Sequence, residues 1–259
     1  MTSDERAVHC RITWRRDWTP CLFSFRTERP AGIDFVPGQF VRLGVAAADG
    51  AVVWRAYSIV SRPAADHLEF YSIVVPDGPF SQPLARLGAG DTVRVDPTVH
   101  GLLHADRFEG GRHLWLLATG TGIAPFVGML DDAAIRSRYD DIVLVHSVRR
   151  REELAYRDTV SSLMRAASSH RARLHYLPTL TSTEVEGPSD IAHGRITTLL
   201  EDGRLERLTG LTLTCDASRL MICCNPSMIR EVRGLLGRRG MTPVRRDKPG
   251  QFISETFWS

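Results

Sequence analysis

The sequence lacks the features that mark several large classes of proteins. None of its apolar runs approaches the roughly 18 residues that a helix needs to cross a membrane. The N-terminal segment Met1–Arg6 is polar and charged, so it does not resemble a signal peptide. No run of like charge is longer than Arg149–Arg151, and the net charge of +3 is too small to favour nucleic acid as a partner. We therefore expect a protein that neither spans a membrane nor binds nucleic acid.

Cysteine is scarce and poorly spaced for metal binding. The five cysteines are odd in number, no C-x-x-C pair is present, and only the last two lie close together: Cys10, Cys21, Cys215, Cys223 and Cys224. Adjacent cysteines do not easily reach one metal ion, which argues against a structural zinc or an iron–sulfur cluster. The sequence therefore predicts no metal site. Free thiols are typical of a reducing compartment, so we expect the protein in the cytoplasm.

The N-terminal part of the chain alternates between apolar and polar residues as β-strands do. Hydrophobic residues make up 43% of the 259 residues, which is enough for two domains with ordinary cores. Turn signals such as Pro37–Gly38 and Asp77–Gly78 separate the runs. Many short strands at close spacing predict an antiparallel β-barrel. The predicted strands are Leu22–Phe25, Phe40–Leu43, Val52–Val60, Leu68–Val75 and Thr92–Val95, with one short helix at Ser81–Leu87.

In the rest of the chain, strand patterns alternate with helix patterns. The alternation predicts a parallel, doubly wound α/β sheet. We place the domain boundary in Ala105–Arg112 and assign residues 1–108 to the first domain and residues 109–259 to the second. The predicted strands are Leu114–Thr119, Ile142–His146, Leu174–Thr179 and Leu220–Cys223, and the predicted helices are Ile123–Leu130, Glu152–Ala167, Ile196–Leu200 and Ser227–Arg238.

Four residues near the end of a predicted strand, Arg55, Ala56, Tyr57 and Ser58, suit a flavin dinucleotide. Alternate residues of a strand face the same side, so Arg55 can hold the pyrophosphate while Tyr57 stacks on the flavin ring. Ser58 faces the other way, where its hydroxyl can approach the N5 edge of the ring. The alternative is a surface arginine beside a packed tyrosine in an ordinary strand.

A second motif, Gly120–Gly122, follows an apolar strand and precedes a predicted helix. Glycine lets the backbone approach a pyrophosphate closely at such a turn. The third glycine of the dinucleotide fingerprint is replaced by Pro125, which suits the first turn of a helix. After the next strand, Arg149 stands where an NAD-binding protein has Asp or Glu, and a cation there suits the 2′-phosphate of NADP. The alternative for Arg149 is a solvated residue in a basic run.

These motifs, in this order, resemble the bacterial ferredoxin/flavodoxin–NADP reductase family over nearly the whole chain. The resemblance extends to Pro37–Phe40, Glu69–Val74, Gly78–Ser81 and the G-T-G-x-A-P form of residues 120–125. It implies an antiparallel β-barrel FAD-binding domain followed by an α/β parallel-sheet nucleotide-binding domain. In the family, the turn matched by Gly78–Ser81 binds the FAD pyrophosphate through backbone N–H groups and a hydroxyl. The implied FAD contacts are Arg55, Ala56, Tyr57, Ser58, Tyr71, Ser72, Ile73, Val74, Gly78, Phe80, Ser81 and Thr121.

The resemblance also implies the residues that bind NADP(H), with two departures from the family's pattern. The implied set is Gly120, Thr121, Gly122, Arg149, Arg195, Cys223, Asn225 and Met228. A further family arginine is absent because Thr183 occupies its segment, and a charged hydrogen bond of this kind contributes about 1.5–3 kcal/mol. We expect NADPH to remain the preferred nucleotide. Cys224 replaces the family's usual glycine and would be strained if that glycine has a positive φ.

The chain ends in an aromatic pair, Phe257 and Trp258, preceded by Glu255. Enteric-type relatives end in a similar pair, so the resemblance implies that the tail returns to the flavin and that Phe257 or Trp258 stacks on FAD. Simple anchoring of the terminus is the alternative. The implied catalytic residues are Ser58 and Glu255, which would tune the N5 edge, and Cys223, which would line the nicotinamide pocket.

The function implied by the resemblance is hydride exchange between NADP(H) and FAD, and exchange of single electrons with ferredoxin or flavodoxin. We expect a monomer. Arg245, Arg246 and Lys248 form a docking surface for an acidic carrier or a solvated basic loop. Two alternatives to this function remain: an NADH-using reductase component of an oxygenase system, and a flavin-free binding module that kept the fold.

Overall fold

The computed structural model describes residues 2–47, 50–166, 171–182, 191–246 and 248–256. The chain forms two compact units, Met1–Gly101 and Leu102–Ser259. The domain boundary placed after residue 108 lies in the segment between the last strand of the first unit and the first strand of the second, and that placement stays a prediction. None of the helices in the described part of the chain is long and apolar enough to cross a membrane.

The first unit is built on six antiparallel strands, which confirms the antiparallel first domain. They are β1 (Val8–Thr19), β2 (Leu22–Glu28), β3 (Phe40–Ala46), β4 (Val52–Ser58), β5 (His67–Ile73) and β6 (Thr92–His100), with the short helices α1 (Ser3–Arg6) and α2 (Ser81–Ala85). Their order in the sheet is β4-β3-β6-β1-β2-β5. Just after β4, Val60 donates its N–H to the carbonyl of Glu69 in β5 at 2.8 Å, so the two ends of the sheet meet and the barrel closes.

Strand β1 is the longest strand of the described chain, and the hydrophobic pattern of the sequence does not predict it. A register shift between Ile12 and Trp14 ends the alternation that buries Cys10 and Ile12, so the strand shows no single period. After the shift, Arg15 lies opposite Phe25. Its guanidinium stands 4.3 Å from the centroid of the Phe23 ring and donates to the carbonyls of Ala85 and Leu87 at 2.7 and 2.6 Å. A charged residue thus occupies an inward position, which hides the strand from a hydrophobic pattern.

The core of the first unit is aromatic and spans the sheet. Phe23, Phe25 and Phe70 are each buried to 2% exposure or less. Phe25 and Phe70 are register partners on β2 and β5, with ring centroids 5.4 Å apart. Cross-strand aromatic pairs of this kind stabilise a sheet beyond the area that they bury. The core therefore fixes the register of the strands that carry the predicted flavin residues.

The second unit is a parallel α/β sheet, as predicted. Its strands are β7 (His113–Thr119), β8 (Asp141–Val148), β9 (Arg173–Leu180), β10 (Ala192–His193), β11 (Ser218–Cys223) and β12 (Phe252–Glu255). Its helices are α3 (Ala124–Leu130), α4 (Ala133–Arg138), α5 (Arg157–Arg165), α6 (Ile196–Glu201), α7 (Arg204–Thr209) and α8 (Pro226–Arg238). The strand order is β10-β9-β8-β7-β11-β12, and every pairing is parallel.

Two features of the second unit differ from the sequence analysis. The helix predicted at Glu152–Ala167 is shorter: a 3₁₀ turn covers Arg151–Glu153, and α5 begins at Arg157. Tyr156 precedes α5 with φ 62°, and a left-handed residue cannot continue a right-handed helix. Four elements of this unit are not predicted from the sequence: α4, α7, β10 and β12. These elements are short, so each shows too few apolar positions to reveal its period.

Loop carbonyls of the second unit are held by Arg219 in β11. Its Nε and Nη2 donate to the carbonyl of Glu109 at 2.9 and 2.7 Å, and its Nη1 donates to that of Cys215 at 2.9 Å. Arg219 is only 9% exposed, so these bonds satisfy a nearly buried cation. With Arg15, this arrangement shows a recurring use of arginine in the chain, as a clamp on carbonyls of neighbouring loops.

The N-terminal helix is tied to the barrel by an ion pair. Arg6 donates from Nε and Nη2 to the two carboxylate oxygens of Asp96, at 3.1 and 2.7 Å. Asp96 is fully buried and also accepts the N–H of Thr98 at 3.0 Å. Burial by itself raises the pKa of Asp96, but the hydrogen bonds, led by that from Arg6, outweigh burial and hold the pKa well below its usual range.

Replacing Arg6 by methionine should destabilise the first unit in a pH-dependent way. A carboxyl with a lowered pKa in the folded state contributes stability above its unfolded pKa of about 4, and this contribution is lost as the pH falls through the folded pKa. Arg6→Met should therefore lower the urea midpoint at pH 7, and the difference from the native chain should shrink at strongly acidic pH. Arg11→Met is the control, because the exposed Arg11 side chain pairs with no carboxylate in the described residues. Equal midpoints for Arg6→Met and the native chain at pH 7 would refute this role.

Candidate active site

Strand β4 carries the predicted flavin residues at its end. Arg55 is exposed, and its Nη1 donates to the carbonyl of Trp54 at 2.8 Å, so its remaining N–H groups stay available for an anion. Tyr57 lies half-buried, with its hydroxyl 2.7 Å from Ser72 Oγ of β5. Its ring centroid is 5.4 Å from that of Phe80. Burial raises the pKa of Tyr57 to about 12, so the phenol is neutral.

Ser58 supplies a buried polar atom that no described residue satisfies. Its side chain is 5% exposed, and its Oγ has no hydrogen-bond partner in the described part of the chain. Leaving a buried hydroxyl unpaired costs about 1–3 kcal/mol. The site therefore fits a ligand that brings a polar edge to this hydroxyl.

The turn before α2 is shaped by Gly78. A Cβ on Gly78 would stand 2.5 Å from Ser81 Oγ, so only glycine fits there. The Ser81 hydroxyl accepts the N–H of Val75 at 2.9 Å, which uses it inside the turn. No side chain caps α2, whose N-cap residue is Phe80. The Gln82 N–H donates to the carbonyl of Gly78 at 3.2 Å and Pro83 has no N–H, so in the described structure the Ser81 N–H is the donor of this helix that is left for an anion.

The remaining residues of the first unit that are expected at the flavin lie on β4 and β5 or directly after β5. Tyr71 and Ser72 are buried on β5, Ile73 and Val74 are half-buried, and Ala56 is exposed on β4. Strand β5 stands at one end of the strand order and β4 at the other, and the barrel closes where these two strands meet. The fold thus gathers these residues where two strands that are consecutive in sequence, but at opposite ends of the strand order, meet.

The glycine turn of the second unit lies at the carboxyl end of β7. Residues Gly120–Ile123 form a 3₁₀ turn that leads into α3, with Pro125 in the first turn of that helix. Gly120 has φ 52° and open space around its Cα, so it serves the backbone conformation. A Cβ on Gly122 would overlap the carbonyl oxygen of Cys223, so Gly122 serves contact between two strand ends.

The strand order reverses at this point. From β7 the chain builds β8, β9 and β10 on one side, and then returns to add β11 and β12 on the other. In open parallel sheets, ligands bind at the carboxyl ends of the strands beside such a reversal. The end of β11 is tied there: Cys224 Sγ donates to the carbonyl of Leu117 at 3.5 Å, and the Asn225 N–H donates to Thr119 Oγ1 at 3.3 Å.

Asn225 and Met228 shape the start of α8. The Asn225 side chain accepts the N–H of Met228 at 3.0 Å and so caps the helix. Met228 is 4% exposed and packs in the hydrophobic core of the unit. Thr121 is half-buried in the glycine turn. These residues therefore hold the β7 and β11 ends in place, and Met228 does so from inside the core.

The two adjacent cysteines are neutral and unstrained. Burial raises the pKa of Cys223 well above its ordinary value and that of Cys224 to about 12. The expected strain at Cys224 is wrong, because only Asp77 and Tyr156 have positive φ among the described residues other than glycine. The Cys224 side chain fits a space in the core beside Leu117, where a thiol can pack as a small hydrophobe.

Glu255 is the Cα register partner of Cys223 on β12. Its Oε2 is buried and has no hydrogen-bond partner in the described part of the chain. Burial raises the pKa of Glu255 to about 7. The carboxyl can therefore either carry or release a proton near neutral pH, which is typical of groups at functional sites.

His146 is a residue that the sequence analysis names only as the end of a strand. It is fully buried on β8, and its Nε2 lies 3.0 Å from the carbonyl oxygen of Gly120. Burial lowers the pKa of His146 to about 4, so the ring is neutral. Because the acceptor is a carbonyl, we assign the proton to Nε2, which braces the glycine turn from below. No spacing in the sequence could reveal this contact.

The two arginines expected at a 2′-phosphate are both exposed. Arg149 follows β8, and its backbone N–H donates to Glu153 Oε2 at 3.0 Å. Arg195 precedes α6, and its Nη2 donates to Glu231 Oε1 at 3.0 Å. Thr183, Phe257 and Trp258 lie outside the described residues.

Two family models match the chain. The family described as an oxidoreductase FAD-binding domain matches residues 17–100, and the family described as an oxidoreductase NAD-binding domain matches residues 116–234. The first range covers the barrel from the end of β1 to the end of β6, and the second covers most of the parallel sheet.

Similar proteins cover almost the whole chain. The ferredoxin–NADP reductase of Pseudomonas aeruginosa is 38% identical over 251 residues, which is 95% of this chain and 95% of that protein. The flavodoxin/ferredoxin–NADP reductase of Escherichia coli K12 is 36% identical over 249 residues, covering 96% and 97% of the two chains. The crystal structure of a ferredoxin NADP+ reductase from Neisseria gonorrhoeae with bound FAD and NADP matches with a TM-score of 0.89 and 35% identity, covering 98% and 99%.

Placing a methyl group on Gly122 should damage the second unit. Because the new Cβ would overlap a backbone carbonyl, Gly122→Ala must displace the turn, at a cost of about 1–3 kcal/mol of unfolding free energy. Calorimetry should also show weaker binding of NADP+. Gly237→Ala is the control, since that helical position has open space and the change should be neutral or stabilising. Unchanged stability and NADP+ affinity in Gly122→Ala would contradict the assigned contact.

Proposed function

This chain belongs to the ferredoxin/flavodoxin–NADP reductase family, and from that premise we propose that it exchanges hydride between NADP(H) and bound FAD and passes single electrons to ferredoxin or flavodoxin. The observation that carries the proposal is the reversal of strand order at β7 and β11, with a glycine turn on one strand end and Cys223 on the other. The protein is an enzyme with FAD as its cofactor.

The residues of the first unit fit FAD. The unsatisfied Ser58 hydroxyl is a feature that a bound group explains, and the exposed Arg55 guanidinium, which pairs with no described carboxylate, suits the pyrophosphate of that group. FAD supplies the chemistry that links two-electron hydride transfer to one-electron transfer. The residues of this unit that would hold it are Arg55, Ala56, Tyr57, Ser58, Tyr71, Ser72, Ile73, Val74, Gly78, Phe80 and Ser81.

Each polar group of the flavin strand has a distinct role in this proposal. Arg55 would bind the pyrophosphate, because its guanidinium is exposed and unpaired with any described carboxylate. Tyr57 would stack on the ring, held in orientation by its 2.7 Å bond to Ser72. Ser58 would donate its hydroxyl hydrogen at the N5 edge, which is the polar partner that its buried Oγ lacks.

The nucleotide would bind at the carboxyl edge of the parallel sheet. Gly120 and Gly122 let the turn approach the pyrophosphate, and His146 holds the turn in place. Arg149 and Arg195 would bind the 2′-phosphate of NADP(H). Thr121, Asn225 and Met228 complete the site.

Cys223 and Glu255 would line the nicotinamide pocket. The Cys223 thiol is neutral, so its part is to pack against the ring and not to act as a nucleophile. Glu255, with a pKa of about 7, would hold or release a proton at its carboxyl. Hydride transfer requires no general base from the protein, so this proton would adjust charge in the pocket.

A basic turn of the second unit would receive the carrier protein. The backbones of Arg245 and Lys248 pair in an isolated antiparallel β-bridge. The side chains of both residues and of Arg246 are exposed. The Nη2 of Arg107 donates to the carbonyl of Arg245 at 3.4 Å, which brings a fourth cation to the turn. Ferredoxins or flavodoxins with an acidic face would be attracted to this cluster. The protein would act in the cytoplasm as a monomer.

A second candidate function is an NADH-using reductase component of an oxygenase system. The observation in its favour is that Arg195 is engaged by Glu231, while Thr183 replaces another arginine, so Arg149 is the one cation of the proposed 2′-phosphate site that has no partner in the described residues.

Stopped-flow reduction of the purified yellow protein should distinguish these functions. We expect NADPH to reduce the flavin with a higher kcat/KM than NADH, because two arginines meet the 2′-phosphate. We also expect the reduced protein to pass electrons to ferredoxin or flavodoxin. Equal kcat/KM values for NADPH and NADH would overturn the NADPH preference. Failure of both carriers to accept electrons would favour the oxygenase component.

Removing the Ser58 hydroxyl should separate stability from activity. Ser58→Ala deletes an unsatisfied buried hydroxyl, so the flavin-free protein should be as stable as the native chain or more stable. With FAD bound, the same change should slow flavin reduction about five- to tenfold, as expected for one lost hydrogen bond. Thr27→Val is the control, since Thr27 Oγ1 is also buried and lacks a partner in the described residues. Slowing of the two variants by equal factors would show that Ser58 has no special role.

A further inference from the structure

Arg195 is held by an acidic residue that the sequence motifs do not include. Its Nη2 donates to Glu231 Oε1 at 3.0 Å. The same carboxylate oxygen accepts the hydroxyl of Ser227 at 3.1 Å. Ser227 and Glu231 lie four residues apart on α8, where side chains face each other across one turn. The carboxylate is thus positioned from its own helix to meet the arginine.

Arg195 reaches Glu231 from the start of α6. It is the N-cap residue of that helix, with extended backbone angles of φ −74° and ψ 148°, and its side chain leaves the helix end. The side chains of Arg195 and Glu231 are 50% and 40% exposed. The guanidinium lowers the pKa of Glu231, so the carboxylate is ionised at neutral pH. The ion pair is therefore accessible to solvent and to an incoming anion.

Arg149, the other arginine of the proposed phosphate site, differs from Arg195 in its partners. No carboxylate pairs with the Arg149 side chain in the described part of the chain, and only its backbone N–H bonds to Glu153. A 2′-phosphate carries a charge between about −1.5 and −2 at neutral pH. It can bind Arg149 directly, but at Arg195 it meets a guanidinium whose charge is already balanced. A carboxylate near the phosphate also repels it.

We infer that Glu231 is a specificity-determining residue that competes with the 2′-phosphate of NADP(H) for Arg195 and so reduces the preference of this chain for NADPH over NADH. The inference rests on the proposed function, which assigns Arg195 to that phosphate. A nucleotide without the 2′-phosphate has no need of Arg195, and its ribose 2′-hydroxyl can donate a hydrogen bond to a carboxylate. Glu231 therefore weakens the binding of NADP(H) and leaves the binding of NAD(H) unchanged.

The test is to replace the carboxylate by its neutral isostere in the FAD-loaded full-length protein. Glu231→Gln should tighten NADP+ binding about fivefold in calorimetry at low ionic strength, the scale of an exposed ion pair. Adenosine 2′,5′-bisphosphate, which carries the phosphate without the nicotinamide, should gain by the same factor. NAD+ and 5′-AMP should bind no more tightly. In steady-state assays the KM for NADPH should fall with little change in kcat.

A matched control exists on the same two helices. Glu201 of α6 pairs with Arg238 of α8 at 3.2 Å, and both side chains are exposed. Glu201→Gln removes one carboxylate and one α6–α8 ion pair, as Glu231→Gln does, but it leaves Arg195 untouched. It should not change the affinity for any of the four nucleotides. A gain in Glu201→Gln equal to that in Glu231→Gln would reduce the effect to net charge and overturn the inference.

Arg195→Met and the double variant Arg195→Met/Glu231→Gln separate this inference from the proposed function. If Arg195→Met leaves the affinity for adenosine 2′,5′-bisphosphate unchanged, Arg195 does not bind the phosphate, and the proposed site and the inference both fail. If Arg195→Met weakens binding but Glu231→Gln gives no gain, the inference alone fails. If the gain from Glu231→Gln disappears in the Arg195→Met background, Glu231 acts through Arg195, as we infer.

Discussion

The contact between Gly122 and the carbonyl of Cys223 is the constraint on which the nucleotide-binding unit depends. The sheet grows from β7 in both directions, so the ends of β7 and β11 lie side by side. Because Gly122 has no side chain, the turn after β7 can touch the backbone at the end of β11. The bonds from Cys224 and Asn225 then fasten the two ends. The glycine turn after β7 and the start of α8 are thereby held together, and the pairing of Cys223 with Glu255 brings the end of β12 to the same edge of the sheet.

Hydrophobic period predicts the strands of this chain where burial is uniform and fails where one strand changes face. Strands β7 and β8 are buried on both sides, so their apolar runs are unmistakable. Strand β1 shifts register near Trp14 and places Arg15 inward, so no single period describes it. The start of α5 follows the left-handed conformation of Tyr156, a buried residue of a type that disfavours that conformation. Such features are set by contacts between distant segments.

The residues of the candidate site likewise fall into those that the sequence predicts and those that only the folded chain reveals. Residues whose chemistry is local, such as Arg55–Ser58 and the glycines of the β7 turn, can be found from sequence because spacing along one element places them. His146 and Glu231 cannot, because each acts on a partner from another element, Gly120 in one case and Arg195 in the other. Ser58 is intermediate: its position is predictable, but the absence of a described partner for its Oγ emerges only in the folded chain.

The carbonyl clamps of Arg15 and Arg219 have a consequence for the substitutions that the fold can accept. The chain has 33 Lys and Arg residues, of which Lys248 is the single lysine. A guanidinium presents its N–H donors in a rigid planar fork, whereas an ammonium group is a compact charge on a flexible stem. Arg219 uses this fork to bond the carbonyls of Glu109 and Cys215 at the same time. Exchanging arginine for lysine at either clamp would keep the charge but leave loop carbonyls without donors.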